Sequence, residues 1–177
     1  MKKTLVVLGI LTLLTACQTT KLGEPKGLGA TAIPLDFDIP GSQFACSRIS
    51  LPLYSVEEDG AFYNDPLELE IYPSRDSSYQ IRSDIPEDNY TIKSIRCYSK
   101  ERYVINGAKS YIEHEVGLFL PISGNEITVP NFKVIGRQKK DRFRYGIDKS
   151  FGLKRKQMIE QIKVENDLTG WKIKDSY

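Results

Sequence analysis

Few side chains in this sequence are equipped for chemistry. His114 is the sole histidine among 177 residues, so a multi-histidine metal site is excluded and any histidine-dependent catalysis must pass through one ring. In Tyr111-Ile112-Glu113-His114-Glu115-Val116 a strand period sets His114 beside Ile112 and Val116, with Glu113 and Glu115 on the opposite face. Its acidic neighbours therefore do not orient it, and a half-buried, hydrogen-bonded histidine is expected. A hydrolase using His114 or clustered carboxylates is the rival reading, and it needs a distant acid and a serine to converge on the ring. Glu57-Glu58-Asp59-Gly60, Asp36-Phe37-Asp38 and Asp84 with Glu87 and Asp88 are the acidic clusters. None has the Asp-x-Asp-x-Asp-Gly loop and distal Glu that gather six or more oxygens about calcium. No G-x-S-x-G, S-x-x-K or H-E-x-x-H motif occurs. No catalytic residue, metal ligand or cofactor is expected, and the protein is read as a non-enzyme.

The basic stretch is more suggestive. Arg137, Lys139, Lys140, Arg142, Arg144, Lys149, Lys154, Arg155 and Lys156 stand against only Asp141 and Asp148, with Phe143, Tyr145 and Phe151 between them. Such a surface suits anionic lipid head groups, lipopolysaccharide or peptidoglycan, each charge near a charged membrane being worth about 1 kcal/mol. The alternative is a solvated hairpin and helix face with its aromatics turned to the core. Charge is sorted along the chain: residues 17–136 carry 11 basic and 17 acidic side chains, and 137–177 carry 12 and 6. A tail folded back on an acidic body accounts for this asymmetry, and a basic surface is the sharper alternative.

The first residues supply an address. Lys2 and Lys3 precede an apolar run from Leu5 to Leu14 broken only by Gly9 and Thr12, the order of a secretory leader. The run is shorter than the ~20 residues of a spanning helix. Leu14-Thr15-Ala16-Cys17 then resembles the lipobox of bacterial lipoproteins. The resemblance implies removal of residues 1–16 and acylation of Cys17, palmitate included, on its sulfur and new amino terminus. Several acyl chains on one residue anchor stably where one does not. Gln18, where many inner-membrane lipoproteins carry Asp, implies an outer-membrane protein facing the periplasm. The partners implied are the membrane, through the anchor, and an envelope protein, peptidoglycan or lipopolysaccharide; nucleic acid is not expected there.

Losing Lys2 and Lys3 leaves 23 basic against 23 acidic residues, so the net charge of +2 belongs to the precursor. With Cys17 acylated, Cys46 and Cys97 are the remaining thiols, in an oxidising compartment. A bridge between them is expected to contribute about 4 kcal/mol; two buried free thiols are the alternative.

Organisation follows from period and punctuation. Residues 17–33, with glycines at 23, 27 and 29 and Pro25, read as a lipidated flexible tether, and 34–177 as a single domain. Strand-like runs span 43–49, 67–71, 79–81, 90–98, 102–105, 110–120, 126–135 and 141–147. A phase change from Tyr90 and Ile92 to Ile95 and Cys97 predicts a bulge near Lys93-Ser94, and Asn106-Gly107 predicts a hairpin turn. Phe151, Met158, Ile159 and Ile162 recur at helical spacing, with Asp148 or Ser150 as cap and Gly170 as terminator. The expected fold is mainly β: an antiparallel β-sandwich of about seven to nine short strands with one C-terminal amphipathic helix at about 150–166, and 171–173 as an edge strand. Ile85-Pro86-Glu87-Asp88-Asn89-Tyr90-Thr91-Ile92 and Ile127–Gly136 resemble elements of transthyretin-like or carboxypeptidase-regulatory-like β-sandwiches. Asn89 and Asn131 stand where those turns usually hold glycine, and Asn tolerates a left-handed conformation. That family has no shared active site, so the resemblance implies a fold alone. A lipid-anchored, non-catalytic binding or assembly module is the function expected. A structural lipoprotein gripping cell wall or lipopolysaccharide through 137–156 is its second rival.

Overall fold

The computed structural model describes residues 20–39, 45–55, 65–99, 110–140 and 142–174. The lipobox, the Glu57-Glu58-Asp59 cluster and the 102–107 strand and turn lie outside them. In chain order the elements are β1 (Thr20–Lys21), β2 (Gly29–Asp38), β3 (Cys46–Ser55), β4 (Leu67–Ile71), β5 (Tyr79–Ile85), β6 (Asp88–Ser99), β7 (Tyr111–Ile122) and β8 (Glu126–Thr128). These are followed by β9 (Lys133–Lys139), β10 (Arg142–Asp148), a 3₁₀ segment (Lys149–Lys154), α1 (Arg155–Glu165), β11 (Asn166–Asp167) and β12 (Lys172–Lys174).

Strand alternation decides which faces meet. In β4, Leu69 and Ile71 are buried while Glu68 and Glu70 face outward, and β3, β6 and β7 extend the same division into an antiparallel sheet ordered β4-β3-β6-β7. β2 has two apolar faces. Ile33, Leu35 and Phe37 join a buried cluster with Ile49, Leu51 and Leu120 of the four-stranded sheet, whereas Ala30 and Ala32 pack with Phe151, Ile159, Ile162 and Trp171 on the other side. The second sheet, β10-β9-β2-β8-β12 with β5 also paired to β2, thus shares one buried cluster with the four-stranded sheet and another with α1. Two alanines in β2 give α1 the close approach that larger side chains would deny it.

Three expectations change. The second sheet is mixed, because β8 and β9 run parallel to β2 and β12 runs parallel to β8, so the sheets are not all antiparallel. The tether gives way to structure: residues 29–33 are buried strand, β1 pairs with β11, and Trp171 Nε1 donates to Gly23 O at 2.7 Å. Local composition at 17–33 suggested a flexible linker, but strand pairing and burial supply the partners that its glycines alone do not specify. The helix also starts later and ends sooner than expected. Asp148 accepts from Ser150 N and caps a 3₁₀ turn, α1 begins at Arg155, and Asn166 is taken into β11. Gly170, at φ +86°, instead makes the turn that brings Trp171 N to Leu168 O at 2.8 Å.

Other expectations match. The β6–β7 register shifts between Ile92 and Ser94, where the phase change placed the bulge. Cys46 and Cys97 form a disulfide across β3 and β6. Tyr90 hydroxyl donates to Pro86 O at 3.1 Å, tying down the turn that starts β6. Left-handed backbone at non-glycine residues falls at Lys26, Asp84, Asn125 and Lys140 rather than at Asn89 or Asn131.

Candidate binding surfaces

The outward face of the four-stranded sheet carries a ladder of charge. Arg96 reaches Glu113 Oε1 at 2.8 Å and Glu68 Oε1 at 2.9 Å, Ser94 donates to Glu113 at 2.6 Å, and Arg48 pairs with Glu70. Arg48 lies over the Tyr98 ring at 4.1 Å and Arg96 over Tyr111 at 5.1 Å. Burial disfavours the Arg96 charge, but the hydrogen bond and attraction of Glu113, then Glu68, hold the guanidinium protonated. Burial likewise raises the Glu68 carboxyl, against the pull of Arg96 and Arg48.

This ladder opens into a groove at the bulge. An open concavity of about 960 Å³ is lined by Tyr54, Thr91, Lys93, Ser94, Glu115 and Lys149, among others. Tyr54, Thr91 and Phe119 are direct cross-strand partners and so share a face. The backbones that carry the two aromatic residues are therefore two strand spacings apart, about 10 Å, with Thr91 between them. Phe119 is 57% exposed, and Lys93 Nζ sits 4.8 Å from the Tyr54 ring centre. This row has no local spacing signal in the sequence, because it forms only by pairing across three strands. The exposed Phe119 between buried Leu118 and Leu120 was the one trace of it.

His114 is placed otherwise than expected. It faces the same side as Ile112, through pairing with Ile95 and of Ile112 with Cys97, but it is exposed. Its ring stacks on Tyr145 of β10 at 4.8 Å, 29° apart. Among the described residues β7 is the last strand of its sheet, so a side chain aimed inward there meets the rim rather than the core. Tyr145 hydroxyl donates to Ile112 O at 2.7 Å, and burial pushes its pKa up to about 12. Glu113 and Glu115 line the groove on the outer side, away from the inward-facing His114. Among the described residues no group of His, Cys, Asp and Glu is placed to hold a metal ion.

The basic segment divides. Arg155 is 7% exposed, and its guanidinium donates to Val129 O at 2.8 Å and to Lys174 O, so it locks the 3₁₀–α1 junction onto β8 and β12 and leaves the basic surface. Arg137 pairs with Asp36 at 2.8 Å, and Lys133 bridges Asp36 at 2.9 Å and Asp148 at 3.4 Å. Lys139, Lys140, Arg142, Arg144, Lys154 and Lys156 are exposed. Lys149 lies on the groove and donates to Gly117 O at 3.3 Å. Of the other acidic clusters, Glu87 accepts from Gly124 N at 3.1 Å and Asp88 from Ser55, while Asp84 accepts from Ser83 at 3.0 Å. They act as turn and strand-end acceptors.

Asp36 gives a pH prediction. The hydrogen bond from Arg137, opposed by burial and joined by Lys133, lowers its pKa from 3.8 to about 2. A depressed carboxyl contributes stability that is complete above its unfolded value and is lost as pH falls through the folded value. Melting of the wild type should fall toward that of Asp36→Asn between pH 4 and pH 2, and the two should differ most above pH 4. A constant difference across that window refutes the linkage.

Comparison with known proteins bears on the chain's start and little else. Residues 1–18 match the family described as prokaryotic membrane lipoprotein lipid attachment site. No curated protein matches. A solved leucine-rich repeat protein from Bacteroides thetaiotaomicron is similar at 14% identity and a TM-score of 0.32, over 59% of this chain and 13% of that one. The chain thus spans a small part of that protein, and a likeness at this level carries no argument about either fold or function. The lipid attachment site supports a bacterial lipoprotein held to a membrane of the cell envelope.

Proposed function

We propose that the mature chain, acylated at Cys17 and held at the outer membrane facing the periplasm, is a non-catalytic binding module whose ligand surface is the groove lined by Tyr54 and Thr91 together with the neighbouring exposed Phe119. The architecture we infer is a β-sandwich with one mixed sheet, supported by the buried cluster that both sheets share. The observation that carries the function is the groove at the β6–β7 bulge, where Tyr54 and Thr91 stand beside Lys93, Lys149 and Glu115, with exposed Phe119 next to Thr91 on the same sheet face. Bulges re-aim side chains at sites of this kind. Aromatic faces take the apolar faces of sugar rings, and groups of both signs suit a ligand with ammonium and carboxylate groups. Peptidoglycan combines both chemistries in its glycan strands and stem peptides.

Co-sedimentation with purified peptidoglycan tests the reading. Phe119→Ala and Tyr54→Ala are each expected to weaken binding about tenfold, and His114→Ala to leave it unchanged. Binding that survives both aromatic substitutions but is lost at high salt would favour a structural role for the basic segment. Ligand cleavage that disappears in folded His114→Ala would favour a hydrolase.

A further inference from the structure

The link between lipid and domain is short. β1 begins at Thr20 and pairs with β11, and Leu22 N donates to Asp167 O at 3.4 Å. Only three chain steps separate Cys17 from Thr20, which limits their separation to roughly 11 Å even fully extended. β11 follows α1 directly, so the link leaves the domain from the layer that holds the helix.

That layer shares its side with the exposed cations. Ala30 and Ala32 of β2 face α1, and by strand alternation Asp36 and Asp38 continue the same face. Asp38 stands level with Arg137 of β9, and Arg137 faces Arg144 across the β9–β10 ladder, as Lys139 faces Arg142. Like charges directly opposed weaken a sheet. Asp36 relieves Arg137, while Lys139, Arg142 and Arg144 remain exposed. Exposed Lys154 and Lys156 flank the buried Arg155 at the start of α1. On the opposite side of the molecule the cations are matched: Arg48 and Arg96 pair with Glu70, Glu68 and Glu113, and Lys93 and Lys149 line the groove with Glu115.

We infer that the protein lies with its helix and β9–β10 side against the anionic head groups of the bilayer that holds its lipid. The anchor keeps that side within reach, the opposed cations find their counter-charge there, and the groove on the far sheet is turned away from the membrane. The inference rests on acylation of Cys17 as proposed above and is independent of what the groove binds.

The test uses the acylated full-length mature protein in vesicles of phosphatidylethanolamine with or without about one third phosphatidylglycerol. Lysines are acetylated briefly and read by mass spectrometry. Lys139, Lys154 and Lys156 are expected to be protected about fivefold by the anionic vesicles, with Lys93 on the far face unchanged and high salt removing the protection. In folded Lys139→Glu/Arg142→Glu/Arg144→Glu, protection at Lys154 and Lys156 should vanish. Equal labelling in both vesicles, or protection of Lys93 as strong as that of Lys139, overturns the inference, as does protection that appears only when peptidoglycan is added. The same spectra show the mass of the N-terminal peptide, so a failure of acylation is told apart from a failure to dock.

Discussion

Removing the Cys46–Cys97 bridge, by reduction or in Cys46→Ala/Cys97→Ala, is expected to cost about 4 kcal/mol of stability. The bond closes a sequence separation of 51 residues, and an unfolded chain freed of that closure gains conformational entropy in proportion to the logarithm of loop length. The loop holds β4, which completes the four-stranded sheet, and β5, which pairs with β2 in the mixed sheet. Untying it therefore frees segments of both sheets in the unfolded ensemble at once. Both cysteines are buried, so alanine replacement also removes packed sulfur. For a chain of this size the loss corresponds to a fall in Tm of roughly 10–15 °C. Circular dichroism melts with and without reductant measure it, and coincident curves would refute the assignment.

Gly29→Ala is expected to destabilise by about 3 kcal/mol, while Gly23→Ala is expected to change nothing measurable. A Cβ at Gly29 would stand 2.6 Å from Ser123 O and would meet the Ile122 side chain. A backbone atom at that distance cannot yield as a flexible side chain does, so β2 or the β7–β8 turn must shift. A Cβ at Gly23 has nothing within 4 Å. Both glycines sit in the stretch whose composition suggests a loose tether, where each substitution would be harmless. Urea titrations of the two variants decide between tether and strand, since equal midpoints would return residues 29–33 to the linker.

Much of the fold was legible, and the reason differs by element. Leu67-Glu68-Leu69-Glu70-Ile71 alternates because one face is buried and the other solvated, so β4 could be read directly. The β6 bulge was legible because Ile92 and Ile95 are both buried at an odd spacing. β2 was not, since its first half, Ala30 to Leu35, is buried on both faces, and alternation appears only from Leu35 to Asp38. The parallel pairing of β8, β9 and β12 left no local mark either, because a strand's own residues do not name its neighbour. The candidate site follows the same rule. His114 could be assigned a face but not an exposure, because nothing local says that β7 ends its sheet, and the Tyr54-Thr91-Phe119 row exists only through pairing of three strands far apart in sequence.

From sequence alone come the lipid attachment site, the two cysteines available to bridge, the mainly β character and the clustering of cations after Gly136. These are properties of local order and composition, set by short-range chemistry and side-chain period. Tertiary structure decided that Arg155 and Arg137 hold the fold while Lys139, Arg142 and Arg144 stay exposed, that residues 29–33 of the supposed tether are core strand, and that a groove lined by Tyr54 and Thr91 opens on the far sheet. Each depends on which distant segment lies opposite a residue, and that is settled by packing two sheets and a helix together rather than by any run of neighbours along the chain.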